Sequence, residues 1–356
     1  MITESVSHRL TAKERALSPH AARAADSPGR DADDEKSGLR TEFQRDRDRI
    51  VHSNAFRRLK HKTQVFIAPL GDHYVTRLTH TLEVAQIART IARALNLNED
   101  LTEAVALGHD LGHTPFGHVG EAELNRLVKG GFRHAEQSLR IVERLERGGR
   151  GLNLMWETRH GIANHSKPRG DFFDPGMTVG HTLEGQVCRV SDALAYLNHD
   201  LLDAFRAGVL RLEEVPSAVI EVIGERHSQR IDNMVNDIVA SSWAASGADG
   251  THPDAPSISM GAEMREAINV LREFMFERVY EPEDRGPAGR AARAIVGLLY
   301  RHYTDNPDAV AAEYGVDERR VVDYVSGMTD GFAMRDAEKI DPRISELLEQ
   351  LASGVR

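Results

Sequence analysis

The sequence predicts an all-α protein. After Phe43, apolar residues recur at the three- and four-residue spacing of amphipathic helices, and no segment alternates as a strand does. The 356 residues are 40% hydrophobic and 28% charged, which is typical of a globular chain rather than a disordered one. At roughly 150 residues per domain, this length predicts about two domains or lobes.

The helices are predicted in chain order from this spacing. Leu78 to Leu95 and Leu101 to Ala106 form the first two, and Thr182 to Ala207 forms a long one. Further helices are expected at roughly 260–279, 290–303, 317–330 and 342–351, with a turn-rich connector at 281–289.

Composition along the chain predicts three parts. Residues 1–40 are polar, and we expect a flexible N-terminal arm. Residues 41–240 hold the motifs and form a catalytic helical domain. Residues 241–356 form a C-terminal helical lobe that starts with a mobile loop at about 241–257, rich in Ser, Gly, Ala, Asp and Pro.

Charge and cysteine content exclude several classes of protein. The formal net charge of −10 argues against non-specific nucleic-acid binding. Cys188 is the single cysteine, which excludes internal disulfides and Cys-based zinc modules and favours a reducing compartment. No apolar run approaches about 18 residues, so we expect no membrane span, no signal peptide and a cytoplasmic location.

Histidines and acidic residues form a candidate metal site. Ten of the 17 histidines lie between His52 and His165, and His109 and Asp110 are adjacent after an apolar helix. His80 points inward with the apolar face of its helix, and Asp192 adds a carboxylate on the long helix. A single inward histidine is usually a hydrogen-bonded core residue, but the set of four favours a metal. Imidazole and carboxylate ligands suit Mg, Mn, Fe, Co, Ni or Zn, so the divalent ion stays open.

These four residues resemble the H…HD…D signature of the HD-domain metal-dependent phosphohydrolases. The strings at 47–66, 117–121, 198–200 and 323–330 are similar to those of the deoxyguanosinetriphosphate triphosphohydrolase family, so the likeness runs from about residue 40 to 335. Ala193 departs from relatives that often carry a charged residue there. The resemblance implies an HD-domain helical bundle with an additional C-terminal helical lobe.

The resemblance also implies an activity. Water would attack the α-phosphorus of a deoxynucleoside triphosphate, dGTP among them, and release the deoxynucleoside and inorganic tripolyphosphate. Relatives commonly form homo-oligomers, as rings of dimers that make a hexamer, and can be activated by bound nucleotide. Two alternatives remain open. One is another HD phosphohydrolase, either a nucleotide phosphomonoesterase or a phosphodiesterase. The other is a non-catalytic HD protein that senses nucleotides or binds single-stranded nucleic acid.

Two residues near the metal motif are candidates for proton transfer. His118 opens a helix after Pro115-Phe116-Gly117, and imidazole, with an unperturbed pKa of about 6.5, suits proton exchange at neutral pH. Glu121 lies three residues further on the same face and can fix the imidazole tautomer. Alternatively, His118 caps the helix and Glu121 complements its dipole. By resemblance, His118 and Glu121 are catalytic and His134 assists at the α-phosphate.

Several residues are candidates for substrate binding. Seven Lys or Arg residues between Arg45 and Lys62, Arg58 among them, suggest an anion-facing wall, although part of this segment could be a solvated helix. Arg77 lies three residues before His80 on the same face and can reach phosphate oxygens. By resemblance, Gln64 contacts the sugar or base and Tyr196 lies near the deoxyribose. The remaining nearby candidates could equally be structural: His113, His160, His165 and Asp200.

Overall fold

The computed structural model describes residues 2–66, 74–166, 180–248, 250, 256–311, 314, 318–344 and 346–347. This part of the chain is helical, as predicted, and its single β-type contact is an isolated bridge between Thr63 and Thr76. The helices before residue 210 are α1 (Ile2–Arg15), α2 (Glu42–Val51), α3 (Asn54–Arg58), α4 (Arg77–Ala94), α5 (Glu99–Gly108), α6 (Gly117–Leu127), α7 (His134–Arg140), α8 (Glu146–Gly149), α9 (Trp156–Ala163) and α10 (Leu183–Arg206). Those that follow are α11 (Ser217–Ile223), α12 (His227–Ser241), α13 (Ala262–Met275), α14 (Glu281–Arg285), α15 (Pro287–Asp305), α16 (Arg320–Ser326) and α17 (Asp330–Ile340).

The centre of the fold is the packing of α4, α5 and α10. Each begins at a side-chain cap, supplied by Thr76, Asn98 and Thr182, which accepts a backbone N–H of the first turn. Helix α10 packs against α4 and α5, and α2 packs against α5. All of these helices bury an apolar face, so the ends that carry polar motif residues are brought together around one point.

The buried apolar residues form two cores. The larger runs from the first third of the chain to Val279 and includes the centres of α4, α5 and α10. The smaller joins α15, α16 and α17 to Phe116 and to apolar residues of α6. The change of core therefore falls between Val279 and Ala288, later than the expected start of a lobe at residue 241. The exception is the segment from Phe116 to Phe132, whose buried apolar residues pack in the second core.

The N-terminal segment differs from the predicted flexible arm. Residues 2–15 form α1, and the chain after it is anchored by polar contacts rather than by an apolar core of its own. The Arg30 guanidinium lies 2.5 Å from Asp46 and 2.8 Å from Glu42. Glu184 accepts the backbone N–H of Ala22 at 3.0 Å. Composition could not show this, because the partners lie in distant parts of the sequence.

Two predicted connectors can be compared with the structure. Trp243–Ser246 forms a short 3-10 helix in the expected loop at 241–257, where residues 249 and 251–255 lie outside the described residues. The connector expected at 281–289 is instead mostly helical, because α14 and α15 meet with a break at Gly286. Residues 345 and 348–351 of the last expected helix are outside the described residues. None of the described helices combines the length and apolar character that a bilayer-spanning segment requires.

Candidate metal centre and active site

Four side chains from three helices meet at the centre of the fold. His80 lies in the first turn of α4, His109 and Asp110 follow the end of α5, and Asp192 lies on α10. His80 and His109 are fully buried, and Asp110 is 3% exposed. We call these four residues the ligand set. The packing of α4, α5 and α10 brings them together although they span more than a hundred positions in the sequence.

The donor atoms of His80, His109 and Asp110 are spaced as ligands of one cation, and Asp192 faces both imidazoles. His80 Nε2 lies 3.2 Å from Asp192 Oδ1 and 3.9 Å from Asp110 Oδ2. His109 Nε2 lies 3.4 Å from Asp110 Oδ1 and 3.7 Å from Asp192 Oδ1. Ligands held at about 2.1 Å from one ion are about 3.0 to 4.2 Å apart, depending on geometry. These separations fit a divalent cation held by His80, His109 and Asp110, with Asp192 Oδ1 next to both imidazoles.

Hydrogen bonds leave the correct nitrogen of each imidazole free. His109 Nδ1 donates to the carbonyl of Ala106 at 2.6 Å, and its buried Nε2 has no hydrogen-bond partner among the described residues. His80 Nδ1 lies 2.9 Å from Nε2 of His199, whose Nδ1 is 2.8 Å from Asp200. A neutral His199 protonated at Nδ1, on the side of Asp200, would accept at Nε2 from His80 Nδ1 and leave the lone pair of His80 on Nε2. Both Nε2 atoms then face the common centre.

Protonation states also suit a metal. Burial lowers the pKa of His80, which keeps its imidazole neutral. Burial alone would raise the pKa of Asp110, but His113, His109 and Arg77 outweigh burial and hold that pKa well below its usual range. A neutral imidazole and an ionised carboxylate are the forms that bind a cation.

Arg77 lies beside the ligand set and keeps part of its guanidinium free. Its Nη1 donates to Asp110 Oδ2 at 2.7 Å, and the side chain is 1% exposed. Its Nε and Nη2 atoms have no hydrogen-bond partner among the described residues. Buried N–H donors without acceptors are costly, so this edge of the guanidinium is suited to an anion that enters the site.

A second group of side chains centres on Glu121. This carboxylate lies 2.9 Å from Nδ1 of His134 and 3.4 Å from Nδ1 of His118. His118 is 68% exposed at its side chain, whereas His134 is nearly buried. The expected contact between His118 and Glu121 is therefore present, and Glu121 also holds a second imidazole that the spacing alone did not connect to it.

The hydrogen-bond directions make His134 a cation. His165 Nδ1 donates to the carbonyl of Ile162 at 2.7 Å, so its Nε2 accepts from Nε2 of His134 at 3.0 Å. His134 Nδ1 faces the carboxylate of Glu121, so both ring nitrogens of His134 carry protons. Burial alone would lower the pKa of His134, but Glu121 outweighs burial and raises it. Burial and the neighbouring imidazoles of His109 and His134 lower the pKa of His165 to about 3, which keeps it neutral.

Both groups border one cavity of about 450 Å³. Most of the predicted site residues line it: Gln64, Arg77, His80, Asp110, His118, His134, Asp192 and Tyr196. His109 and Glu121 lie behind this lining and contact it. The buried Oε1 atom of Gln64 has no hydrogen-bond partner among the described residues.

The structure places Arg58 away from this cavity. Arg58 borders a separate cavity of about 150 Å³, and its guanidinium donates to Gly327 O and Tyr314 Oη, both at 3.3 Å. His160 stacks on Trp156 with ring centroids 4.6 Å apart and does not line the main cavity. Neither orientation can be read from local sequence.

The cavity lining also contains residues outside the set of predicted site residues. His113 stacks on His134 with ring centroids 3.9 Å apart, and its Nε2 lies 3.2 Å from Asp110. Tyr280 donates to Asp200 at 2.9 Å, and both line the cavity together with Arg272 and His165. His113 and Asp200 adjoin recognised motifs, so their positions in the sequence could have indicated a role in the site. Arg272 and Tyr280 come from a distant helix that carries no such motif.

Family comparisons agree with this geometry. The HD-domain family model matches residues 77–197, the span that contains the whole ligand set. A second family model, described as a phosphohydrolase-associated domain, matches residues 258–339. HD domains of this kind are metal-dependent, and the clustered His and Asp side chains could bind the metal. The fold and the site thus define an HD-domain metal-dependent phosphohydrolase.

Curated relatives indicate a family within this class of phosphohydrolases. A deoxyguanosinetriphosphate triphosphohydrolase-like protein from Caldanaerobacter subterraneus subsp. tengcongensis is 52% identical over 349 residues, covering 95% of this chain and 94% of that protein. Proteins of the same name from Desulfatibacillum aliphaticivorans and Clostridium perfringens are 49% and 44% identical, covering 91% and 88% of this chain and 94% and 91% of those proteins. The chain belongs to the deoxyguanosinetriphosphate triphosphohydrolase-like family.

A solved structure also matches at low similarity. The crystal structure of a hypothetical protein from Aquifex aeolicus has a TM-score of 0.47 and 17% sequence identity, and the match covers 86% of this chain and 70% of that one. This likeness is too low to bear on the function.

Proposed function

We propose that the protein hydrolyses deoxynucleoside triphosphates, dGTP among them, to the deoxynucleoside and inorganic tripolyphosphate. Water attacks the α-phosphorus, the bond from that phosphorus to the 5′-oxygen breaks, and the 5′-oxygen leaves with a proton. The name of the relatives supports this substrate class. The observation that carries the proposal is the ligand set beside the unpaired edge of Arg77 in one cavity.

The cavity offers a cationic end and an aromatic end. Arg77 and the His134 imidazolium lie near the ligand set, where they would neutralise phosphate oxygens. Tyr196 and Tyr280 form the aromatic end, with ring centroids 6.5 Å apart. A deoxyribose packed against these rings would leave little room for a 2′-hydroxyl. The unpartnered amide oxygen of Gln64 would accept a hydrogen bond from the sugar or base.

Proton transfer falls to the side chains around Glu121. His118 is exposed to the cavity and can turn, so it accepts the proton of the attacking water or donates one to the departing oxygen. His134 stays charged beside Glu121 and stabilises the negative charge that develops on the α-phosphate. A divalent cation bound by the ligand set would polarise a phosphoryl oxygen and lower the pKa of a nearby water.

Three further features belong to this proposal. The protein would form homo-oligomers, hexamers among them, would respond to nucleotide as an activator, and would act in the cytoplasm. The family resemblance supports the first two, and the single cysteine favours a reducing compartment such as the cytoplasm. Light scattering of the purified protein tests the assembly, and initial rates with each deoxynucleotide alone and in mixtures test the activation.

Product analysis tests the reaction. Each deoxynucleoside triphosphate is incubated with the protein and one divalent metal at a time, and the phosphates are separated by ion chromatography. Intact tripolyphosphate is the expected product, whereas orthophosphate or pyrophosphate would overturn the proposal in favour of another phosphohydrolase. In water labelled with ¹⁸O, the label should enter tripolyphosphate and not the 5′-hydroxyl of the nucleoside.

A matched pair of variants ties the reaction to the site. Glu121→Gln should lower kcat by about 10²-fold or more, because both imidazoles lose their carboxylate partner. Glu123→Gln on the same helix breaks an ion pair with Arg126 outside the cavity lining. This control should keep the activity of the unchanged protein, and equal losses in both variants would count against the assigned role.

A further inference from the structure

The segment from Asp323 to Asp330 joins the C-terminal part of the chain to the active site without lining the cavity. This string resembles the family's C-terminal motif, and the proposed reaction assigns it no role. In the structure, three of its residues contact the loops and the helix that carry the cavity residues. We call Asp323, Ser326 and Asp330 the C-terminal clamp.

Asp330 connects two sides of the cavity. Its Oδ1 accepts the backbone N–H of Phe116 at 2.9 Å, and its Oδ2 accepts the backbone N–H of Thr63 at 2.9 Å and also the Thr63 hydroxyl. Thr63 precedes Gln64, and Phe116 stands two residues before His118. The Asp330 carboxylate thus sets the distance between Gln64, a predicted substrate contact, and the start of α6, which carries His118.

The backbone at Phe116 needs this support. Phe116 has a φ of 60°, in the left-handed region that side chains other than glycine rarely adopt. Its side chain is buried in the second core, so the peptide is held from both ends. A conformation of this kind persists only where the surroundings over-determine it, and the bond to Asp330 supplies one such constraint.

Ser326 holds the same loop through Lys62. The buried Nζ of Lys62 donates to the carbonyl of Ser326 at 2.9 Å and to the carbonyl of His113. His113 stacks on His134 and contacts Asp110. The loop from His113 to Phe116 is therefore fixed at both of its ends by the C-terminal clamp.

Asp323 holds the helix that begins with His134. Arg140 donates to both of its carboxylate oxygens at 2.7 to 2.9 Å, and Gln137 donates to Oδ1 at 2.8 Å. Asp323 is 1% exposed, so its charge requires these partners. Both donors lie on α7, and their positions set the position of His134 at its first residue.

We propose that Asp330 and Asp323 are positioning residues, through which the C-terminal clamp holds Gln64, His118 and His134 in the geometry that the reaction requires. Apolar contacts of the second core join the two halves of the chain, and the C-terminal clamp adds directional hydrogen bonds to these contacts. The kinetic part of this inference rests on the proposed function, whereas the structural part does not.

The test compares two aspartates of the same helix. Asp330→Asn replaces an acceptor with an N–H donor that faces the N–H of Thr63 or Phe116. Asp336→Asn is the control, because the partly buried Asp336 accepts the hydroxyl of Tyr303, a residue of the second core, away from the cavity. Both changes weaken a hydrogen bond of α17, so both should lower Tm, but only one should alter the site.

We expect Asp330→Asn to lower kcat by at least about tenfold with a smaller change in KM, and to accelerate hydrogen exchange in residues 113–120. Asp336→Asn should leave kcat, KM and this exchange as they are in the unchanged protein. Equal kinetics and equal exchange in the two variants would overturn the proposal. Because exchange needs no substrate, it still decides the positioning role if the protein hydrolyses no deoxynucleotide.

A milder variant covers the case in which Asp330→Asn does not fold. Thr63→Val removes the hydroxyl that donates to Asp330 and keeps the backbone bond and the shape of the side chain. It should change kcat and the exchange of residues 113–120 in the same direction and by a smaller factor. Unchanged values would contradict the clamp.

Discussion

The Nδ1 atom of His80 lies 2.9 Å from the Nε2 atom of His199, and both rings are buried. This contact continues to Asp200 at 2.8 Å and from there to the hydroxyl of Tyr280 at 2.9 Å. One end of this series is His80, a predicted metal ligand, and the other lines the cavity. His199 thus orients His80 without contacting the cation itself.

Loss of His199 should weaken metal binding. His199→Ala removes the acceptor of the Nδ1 proton of His80, so we expect metal affinity to fall by about 10- to 100-fold, as for other outer partners of metal-binding histidines. Titration calorimetry of the metal-free protein with Mn²⁺ measures this change. His160→Ala is the control, because that ring stacks on Trp156 away from the ligand set. Equal affinities for all three proteins would contradict the assignment.

The ion pair of His134 and Glu121 predicts a pH-dependent stability. Because the pKa of His134 is raised, its contribution to the free energy of unfolding is fully present below its unfolded pKa of about 6.5. This contribution is lost as the pH rises through the pKa of His134 in the folded protein. The lowered pKa of Glu121 means that its contribution is complete above about 4.5 and is lost as the pH falls. The pair is therefore most stabilising between about pH 4.5 and 6.5.

Urea unfolding of the metal-free protein and of His134→Gln checks this window. The variant should be less stable by about 3 kcal/mol near pH 5.5, because the buried Glu121 carboxylate loses its imidazolium partner. The difference should shrink at higher pH. A difference that is constant from pH 5 to pH 9 would show that His134 is neutral in the folded protein.

The buried Lys62 predicts a stability that increases with pH, opposite to the trend expected for His134. Burial lowers the pKa of Lys62 from 10.5 to about 7. Between these values the unfolded chain binds a proton that the folded chain does not, so stability increases with pH. Relative to Lys62→Met, the unchanged protein should gain about 3 kcal/mol between pH 7 and pH 9.5, at 1.36 kcal/mol per pKa unit. Parallel stability curves for the two proteins would place the charge of Lys62 in solvent.

Gly112 should not tolerate a side chain. An added Cβ would lie 2.2 Å from the backbone nitrogen of Ser138 and 2.4 Å from the carbonyl oxygen of His134. Gly112→Ala should therefore destabilise the protein by about 3 kcal/mol or more, or prevent folding. Gly331→Ala is the control, since its Cβ would meet only the flexible end of Arg335 at 3.3 Å. Chemical unfolding measures both, and similar stabilities would contradict this close packing.

Local periodicity was enough to predict the helices and the inward direction of His80, because helix faces follow from the sequence around them. It was also enough to place Glu121 beside His118, three residues apart on one helix. The all-α fold, the family and the metal dependence were likewise predicted and are confirmed. These features depend on neighbours in sequence or on a recognisable motif.

Contacts between distant segments could not be predicted in this way. A count of basic residues could not show that Arg58 turns to the carbonyl of Gly327, nor that Lys62 is buried against Ser326. The N-terminal arm is anchored because Arg30 meets Asp46, a buried charge that composition does not reveal. Tyr280 enters the cavity from a helix that carried no motif. Such partners are set by tertiary packing.

The position of a bound cation would show whether the four side chains form one metal site. Crystals grown with Mn²⁺ would give an anomalous difference peak for each bound ion. One peak is predicted at about 2.1 to 2.3 Å from Nε2 of His80 and of His109 and from a carboxylate oxygen of Asp110 and of Asp192. A peak more than about 4 Å from any of these four donors, or no peak at a saturating concentration, would contradict the account.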